Sequence, residues 1–100
     1  MSERRAKRSA VPLPVSIGRK AAALSADVST DGFCLESPTF VAAGAEVTGY
    51  VLHGDKELPW SGRVVWAQPG NPMLSTWHRM GVQFTHVSAG LRALISMRLR

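Results

Sequence analysis

Asp27-Val28-Ser29-Thr30-Asp31-Gly32 joins two apolar runs, one ending at Leu24 and Val28 and one made of Phe33, Cys34 and Leu35. That order reads as strand, tight turn, strand. Gly32 implies a backbone position with φ > 0 or a close approach by another group. Asp27 and Ser29 alternate, so on a strand they share a face. Taken alone, Asp, Ser, Thr and Gly are ordinary turn formers whose side chains bond nearby backbone. The upstream Arg4-Arg5-Ala6-Lys7-Arg8 changes the reading. A turn bearing acceptors and a cluster of arginines, about one strand pair apart, could grip two sides of one anionic, base-bearing ligand.

Outward from that turn, short strands follow one another. Pro12 and Pro14 hold the backbone extended and prevent a helix. Leu13, Val15 and Ile17 then alternate, and Gly18-Arg19-Lys20 reads as a turn. Residues 21–28 and 33–36 flank the central turn, and a loop runs from Ser37-Pro38 to Gly44. Residues 46–52 alternate again, with Val47, Gly49 and Val51 on one face; Gly54-Asp55-Lys56 is a hairpin turn. The longest strand candidate spans 58–68, with Val64, Val65 and Trp66 at its heart and Pro59 placing its beginning on an edge. Pro69-Gly70-Asn71-Pro72 is a loop, and residues 77–84 form the last strand, with Met80, Val82 and Phe84 on one face. The period then becomes helical at Leu91, Leu94, Ile95 and Leu99. Ser88 is the N-cap of this helix, residues 88–99, and Arg98 and Arg100 stand at the end that favours cations. The expected fold is all-β: a six-stranded antiparallel barrel over 11–100, with one short C-terminal helix covering an end or an edge.

Residues 1–10 form a separate, flexible basic arm. Residues 1–8 hold four bases and one acid, against a formal net charge of +5 for the chain. A basic arm on a nearly neutral body suits an anionic partner. A solvated tail that only aids solubility is the plainer alternative. One hundred residues make one domain with one modest core. A protein partner, or self-association as a homodimer, is compatible with so short a domain. The single cysteine, Cys34, allows no internal disulfide and points to a reducing cytoplasm. No run of about 18 apolar residues is present to insert into a membrane, and Val11-Pro12-Leu13-Pro14-Val15 is too short and proline-broken for a secretion signal behind Arg4-Arg5.

Enzyme chemistry finds no support. His53, His78, His86 and Cys34 match no compact metal-ligand spacing. No nucleophile motif surrounds a serine, and there is no glycine-rich phosphate loop. No catalytic residue, metal or cofactor is assigned.

At this point the residues resemble the PilZ domain family of bacterial cyclic di-GMP receptors. That family is marked by R-x-x-x-R in an N-terminal arm and by D/N-x-S-x-x-G after the second strand. Arg4 to Arg8 and Asp27 to Gly32 supply both, and Gly62-Arg63-Val64-Val65-Trp66 and Met80-Gly81-Val82-Gln83-Phe84 are similar to later family segments. The resemblance implies a split-barrel type of six-stranded fold and a receptor for the second messenger in motility or biofilm regulation. It implies that Arg4 and Arg8 grip guanines and phosphates, with Arg5 in support. Asp27 and Ser29 would meet a guanine, and Gly32 would make the turn beneath it. The types suit the ligand: guanine offers N7 and O6 to an arginine fork and N–H donors to a carboxylate. Trp66 is a candidate stacking platform, although a strand tryptophan more often belongs to core or partner surface. Binding would order the arm at a cost of roughly 2–5 kcal/mol and change the surface offered to a protein partner. Two other readings stay open. One is a PilZ-like adaptor that does not bind nucleotide. The other, less favoured, is a small barrel binding RNA or single-stranded DNA, which requires several exposed aromatics on one face.

Overall fold

Alternating apolar residues leave this chain one way to bury them, as strands with one face inward. In a computed structural model, residues 13–18 and 21–98 are described. They form β1 (Pro14–Ile17), β2 (Ala21–Val28), β3 (Gly32–Ser37), β4 (Glu46–His53), β5 (Lys56–Gln68), a 3-10 turn (Pro72–Leu74), β6 (His78–Val87) and α1 (Ala89–Arg98). The arm, with Arg4, Arg5 and Arg8, lies outside the described residues.

The strands close a barrel in the order β1-β2-β3-β6-β5-β4, all neighbours antiparallel. The expected six-stranded barrel with a C-terminal helix is what the chain forms. Inward positions fill the interior: Val15, Val28, Phe33, Leu35, Val51, Trp60, Val64, Met80 and Val82 are buried. Trp60 is the hub. Phe33 meets it edge-on at 5.0 Å between ring centroids, and Phe84 meets Phe33 at 4.8 Å.

Simple alternation fails at two places that matter later. Ser25 pairs with Leu35 and Asp27 with Cys34, so β2 carries one extra residue, Ala26. In β5, Val64 pairs with Val82 and Trp66 with Gly81, so Val65 is extra. Each is a β-bulge, which breaks the period of two and re-aims the side chains beyond it. Without the first, Asp27 would follow Ala23 and Ser25 into the core; with it, Val28 goes in and Asp27 goes out. Without the second, Trp66 would follow Trp60 and Val64 inward; with it, Val65 and Trp66 are both exposed. Val64, Val65 and Trp66 do lie in the middle of β5, but only Val64 is buried.

Smaller departures have local causes. The last strand begins at His78 rather than Trp77, because the loop before it is tied down. Asn71 caps the 3-10 turn through Met73 N–H, and Thr76 N–H returns to Asn71 O at 3.1 Å. It runs on to Val87 because β5 pairs that far, Trp60 opposite Val87. Pro59 faces Tyr50 on β4, whereas pairing with β6 begins only at Trp60. Residues 56–59 thus have β4 on one flank and α1's leader on the other, where Pro59 O accepts Ser88 N–H at 3.2 Å.

Ser88 caps α1 as its position suggested: its hydroxyl accepts Leu91 N–H at 3.3 Å, and its carbonyl accepts Arg92 N–H at 2.9 Å. Leu91, Leu94 and Ile95 are the buried stripe of the helix, and Gly90 lies close to Leu58. Ser88→Ala is expected to cost about 1 kcal/mol of stability, read as a lower urea midpoint at unchanged slope by circular dichroism. An unchanged midpoint would mean that the helix is held by its apolar stripe alone.

Candidate functional site

The two bulges bring distant residues onto one outer face. Across four adjacent strands, Asp27 pairs with Cys34, Cys34 with Gly81 and Gly81 with Trp66. Strands lie about 4.8 Å apart, so the backbone of this row spans about 14 Å across the four strands. The next outward row is Glu36, Arg79 and Gln68; the one on the other side is Gly32, Gln83 and Arg63. Small residues at 32, 34 and 81 leave a depression where neighbouring positions carry long side chains. It is a cleft of about 540 Å³, lined by Asp27, Ser29, Asp31, Gly32, Cys34, Trp66, Arg79, Gly81 and Gln83, among others. That volume falls within the roughly 300–1,000 Å³ of small-molecule sites.

Trp66 forms one wall. It is 43% exposed, and its ring lies over Gly81, occupying the space a side chain there would need. The opposite end is the Ser29–Asp31 turn. Ser29 is only 1% exposed. Its hydroxyl donates to Gly32 O at 3.3 Å and accepts Asp31 N–H at 3.2 Å, while its own N–H donates to Gly32 O at 2.9 Å. Ser29 therefore holds the turn that presents Asp27 and Asp31. Gly32 does not have positive φ. Of its two expected explanations the second applies: the Val82 carbonyl sits where a Cβ would go.

Arg79 stands on the third side, with Nε 3.5 Å from Glu36 Oε2 and Nη2 donating to Cys34 Sγ at 3.7 Å. Burial pushes the Cys34 thiol up, against the opposing pull of the Arg79 guanidinium. The thiol is thus neutral on the cleft floor. Arg79, Asp31, Cys34 and Gly81 were not singled out from the sequence as site residues. The run of small outward residues could have flagged the floor, but only once the register was known.

Of the residues expected at the site, Asp27, Ser29, Gly32 and Trp66 all line this one cleft; Arg4, Arg5 and Arg8 fall outside the described residues. The described chain starts at Leu13, whose N–H donates to Ser25 Oγ at 2.9 Å and whose carbonyl accepts Ser25 N–H at 3.1 Å. Leu13 thus lies opposite Ser25, two residues from Asp27 along β2.

Among the described residues, no three His, Cys, Asp or Glu side chains are grouped to hold a metal. His78 Nδ1 instead accepts Gly70 N–H at 2.8 Å, and its ring meets Phe40. No helix among them is long and apolar enough to cross a membrane. Met73, Leu74 and Trp77 are exposed at the tip between β5 and β6.

The sequence profile described as "PilZ domain" matches residues 2–99. No curated protein sequence matches the chain. Among solved structures, the Bacillus subtilis inhibitor of motility, MotI/DgrA, superposes with a TM-score of 0.68 at 16% identity, over 95% of this chain and 48% of that one. The likeness is one of fold, and this chain spans about half the length of that protein.

Proposed function

The chain belongs to the PilZ domain family, and on that premise we propose that it is a cyclic di-GMP receptor whose arm closes on a ligand seated in the cleft. The family is one of cyclic di-GMP receptors in general, binding modules rather than enzymes. The finer reading rests above all on one observation: Asp27 and Trp66 are turned outward by separate bulges and face one cleft from opposite ends.

In this reading Asp27 accepts N–H groups of one guanine, and Ser29 and Gly32 serve by shaping the turn. Trp66 offers a flat apolar face for a base. Arg4 and Arg8, with Arg5 in support, supply forked donors to N7, O6 and phosphate oxygens. Reach is sufficient. The five residues from Leu13 back to Arg8 can span at most about 18 Å, more than the width of the cleft. Ordering of the arm over the ligand alters the surface shown to a partner protein, in the cytoplasm.

Calorimetric titration tests it. Cyclic di-GMP should bind the intact chain, and GTP should bind far more weakly. Arg8→Ala and Asp27→Ala should each weaken binding by about 10- to 150-fold, the equivalent of about 1.5–3 kcal/mol for a charge-assisted hydrogen bond. An intact chain that gives no heat with cyclic di-GMP sinks the proposal. The adaptor reading would then gain, since the exposed Met73, Leu74 and Trp77 offer an apolar surface that needs no nucleotide.

A further inference from the structure

Arg79 shares the cleft but has no part in the binding mode proposed above. Its neighbours divide the cleft by charge. Asp27 and Asp31 sit at the turn, where an anionic oxygen is repelled; among the described residues lining the cleft, Arg79 is the cation. It lies one outward row from Gly81, on an exposed side of the cleft. We infer that Arg79 is the barrel's own phosphate-binding residue, taking a phosphodiester oxygen of the cyclic dinucleotide while the turn takes a base. This rests on the cyclic di-GMP reading and adds a residue outside both sequence motifs.

Three features suit it to that role. The guanidinium is a planar fork matched to phosphate oxygens. Glu36 holds it across the strand in the absence of ligand, at 3.5 Å, with the two side chains 49% and 44% exposed. A pair so open to water contributes little net stability, so exchanging a carboxylate for a phosphate is cheap. Cys34, its other neighbour, is a neutral thiol and does not compete as an anion. Glu36 is thus the carboxylate that a phosphate displaces from the guanidinium.

The experiment is titration of the full chain with cyclic di-GMP at two salt concentrations, for wild type, Arg79→Ala, Arg79→Lys and Glu36→Gln. Arg79→Ala should weaken binding about 10- to 100-fold, and its affinity should fall less steeply with salt than that of wild type. Arg79→Lys should recover part of the loss. Glu36→Gln, which removes the competing carboxylate, should bind about two- to fivefold more tightly. Thermal melts accompany each variant. If Arg79→Ala does not fold, Glu36→Gln decides: unchanged or weaker binding overturns the inference. Arg79→Ala within twofold of wild type overturns it too, as does a loss that leaves the salt dependence unchanged. In either case the cyclic di-GMP reading stands, because wild type still binds; a silent wild type defeats both.

Discussion

Trp60→Ala is expected to remove about 3–5 kcal/mol of unfolding free energy, the cost of a large buried aromatic plus the cavity it leaves. Domains of this kind have roughly 5–15 kcal/mol in total, so the variant should be marginal at room temperature. Its melting midpoint should fall by on the order of 20 °C. The reason is geometric. Trp60 is 1% exposed and sets the position of Phe33 at 5.0 Å and Phe84 at 6.5 Å between ring centroids. Gly49, on the neighbouring strand, has no side chain and so admits the indole. Among the described residues the indole N–H has no hydrogen-bond partner, so Trp60→Phe should cost far less than Trp60→Ala. Far-UV circular dichroism in urea measures both. A loss below about 1 kcal/mol for Trp60→Ala would mean that the ring is not the hub of the interior.

Gly32→Ala should destabilise by about 1–3 kcal/mol, the usual cost of overpacking, and should weaken the proposed binding of cyclic di-GMP although no ligand-facing side chain is lost. The added methyl meets the Val82 carbonyl, which is backbone and cannot swing aside. β3 and β6 must separate at the point where Phe84 N–H donates to Asp31 O at 2.8 Å. That bond anchors the turn carrying Asp31 and, behind it, Asp27. Stability and affinity should therefore fall together, in thermal melts and titration of the same sample. A variant of wild-type stability with lost affinity would instead place Gly32 against the ligand itself.

How much of this was legible beforehand differs by level. Leu13, Val15 and Ile17, Phe33 and Leu35, and Met80 and Val82 alternate cleanly, so the strands and their inward faces could be read directly. Ser88 and the Leu91, Leu94, Ile95 stripe announced the helix. The site was legible in composition but not in placement. Asp27 and Ser29 were expected to share one face of a strand; in fact a bulge at Ala26 turns Asp27 outward, and Ser29 lies beyond the strand, sealed into the turn. Two adjacent apolar residues, Val65 and Trp66, gave no hint that both face outward, because register depends on the partner strand. Arg79 stayed invisible for the same reason. Its significance comes from Glu36 and Cys34 on β3, more than forty positions away in the chain.

The brevity of β1 has a consequence of its own. Four residues zip the cylinder shut, bound to β2 on one flank and to β4 on the other. Were they to peel away, β2 and β4 would each bare a row of N–H and C=O groups, the template on which a second molecule can add a strand. In the sequence, Arg8 stands six positions ahead of Pro14, the first of those four residues. On the proposed mode of binding, a ligand that holds Arg8 would also oppose such peeling, so that occupancy and resistance to strand exchange would rise together.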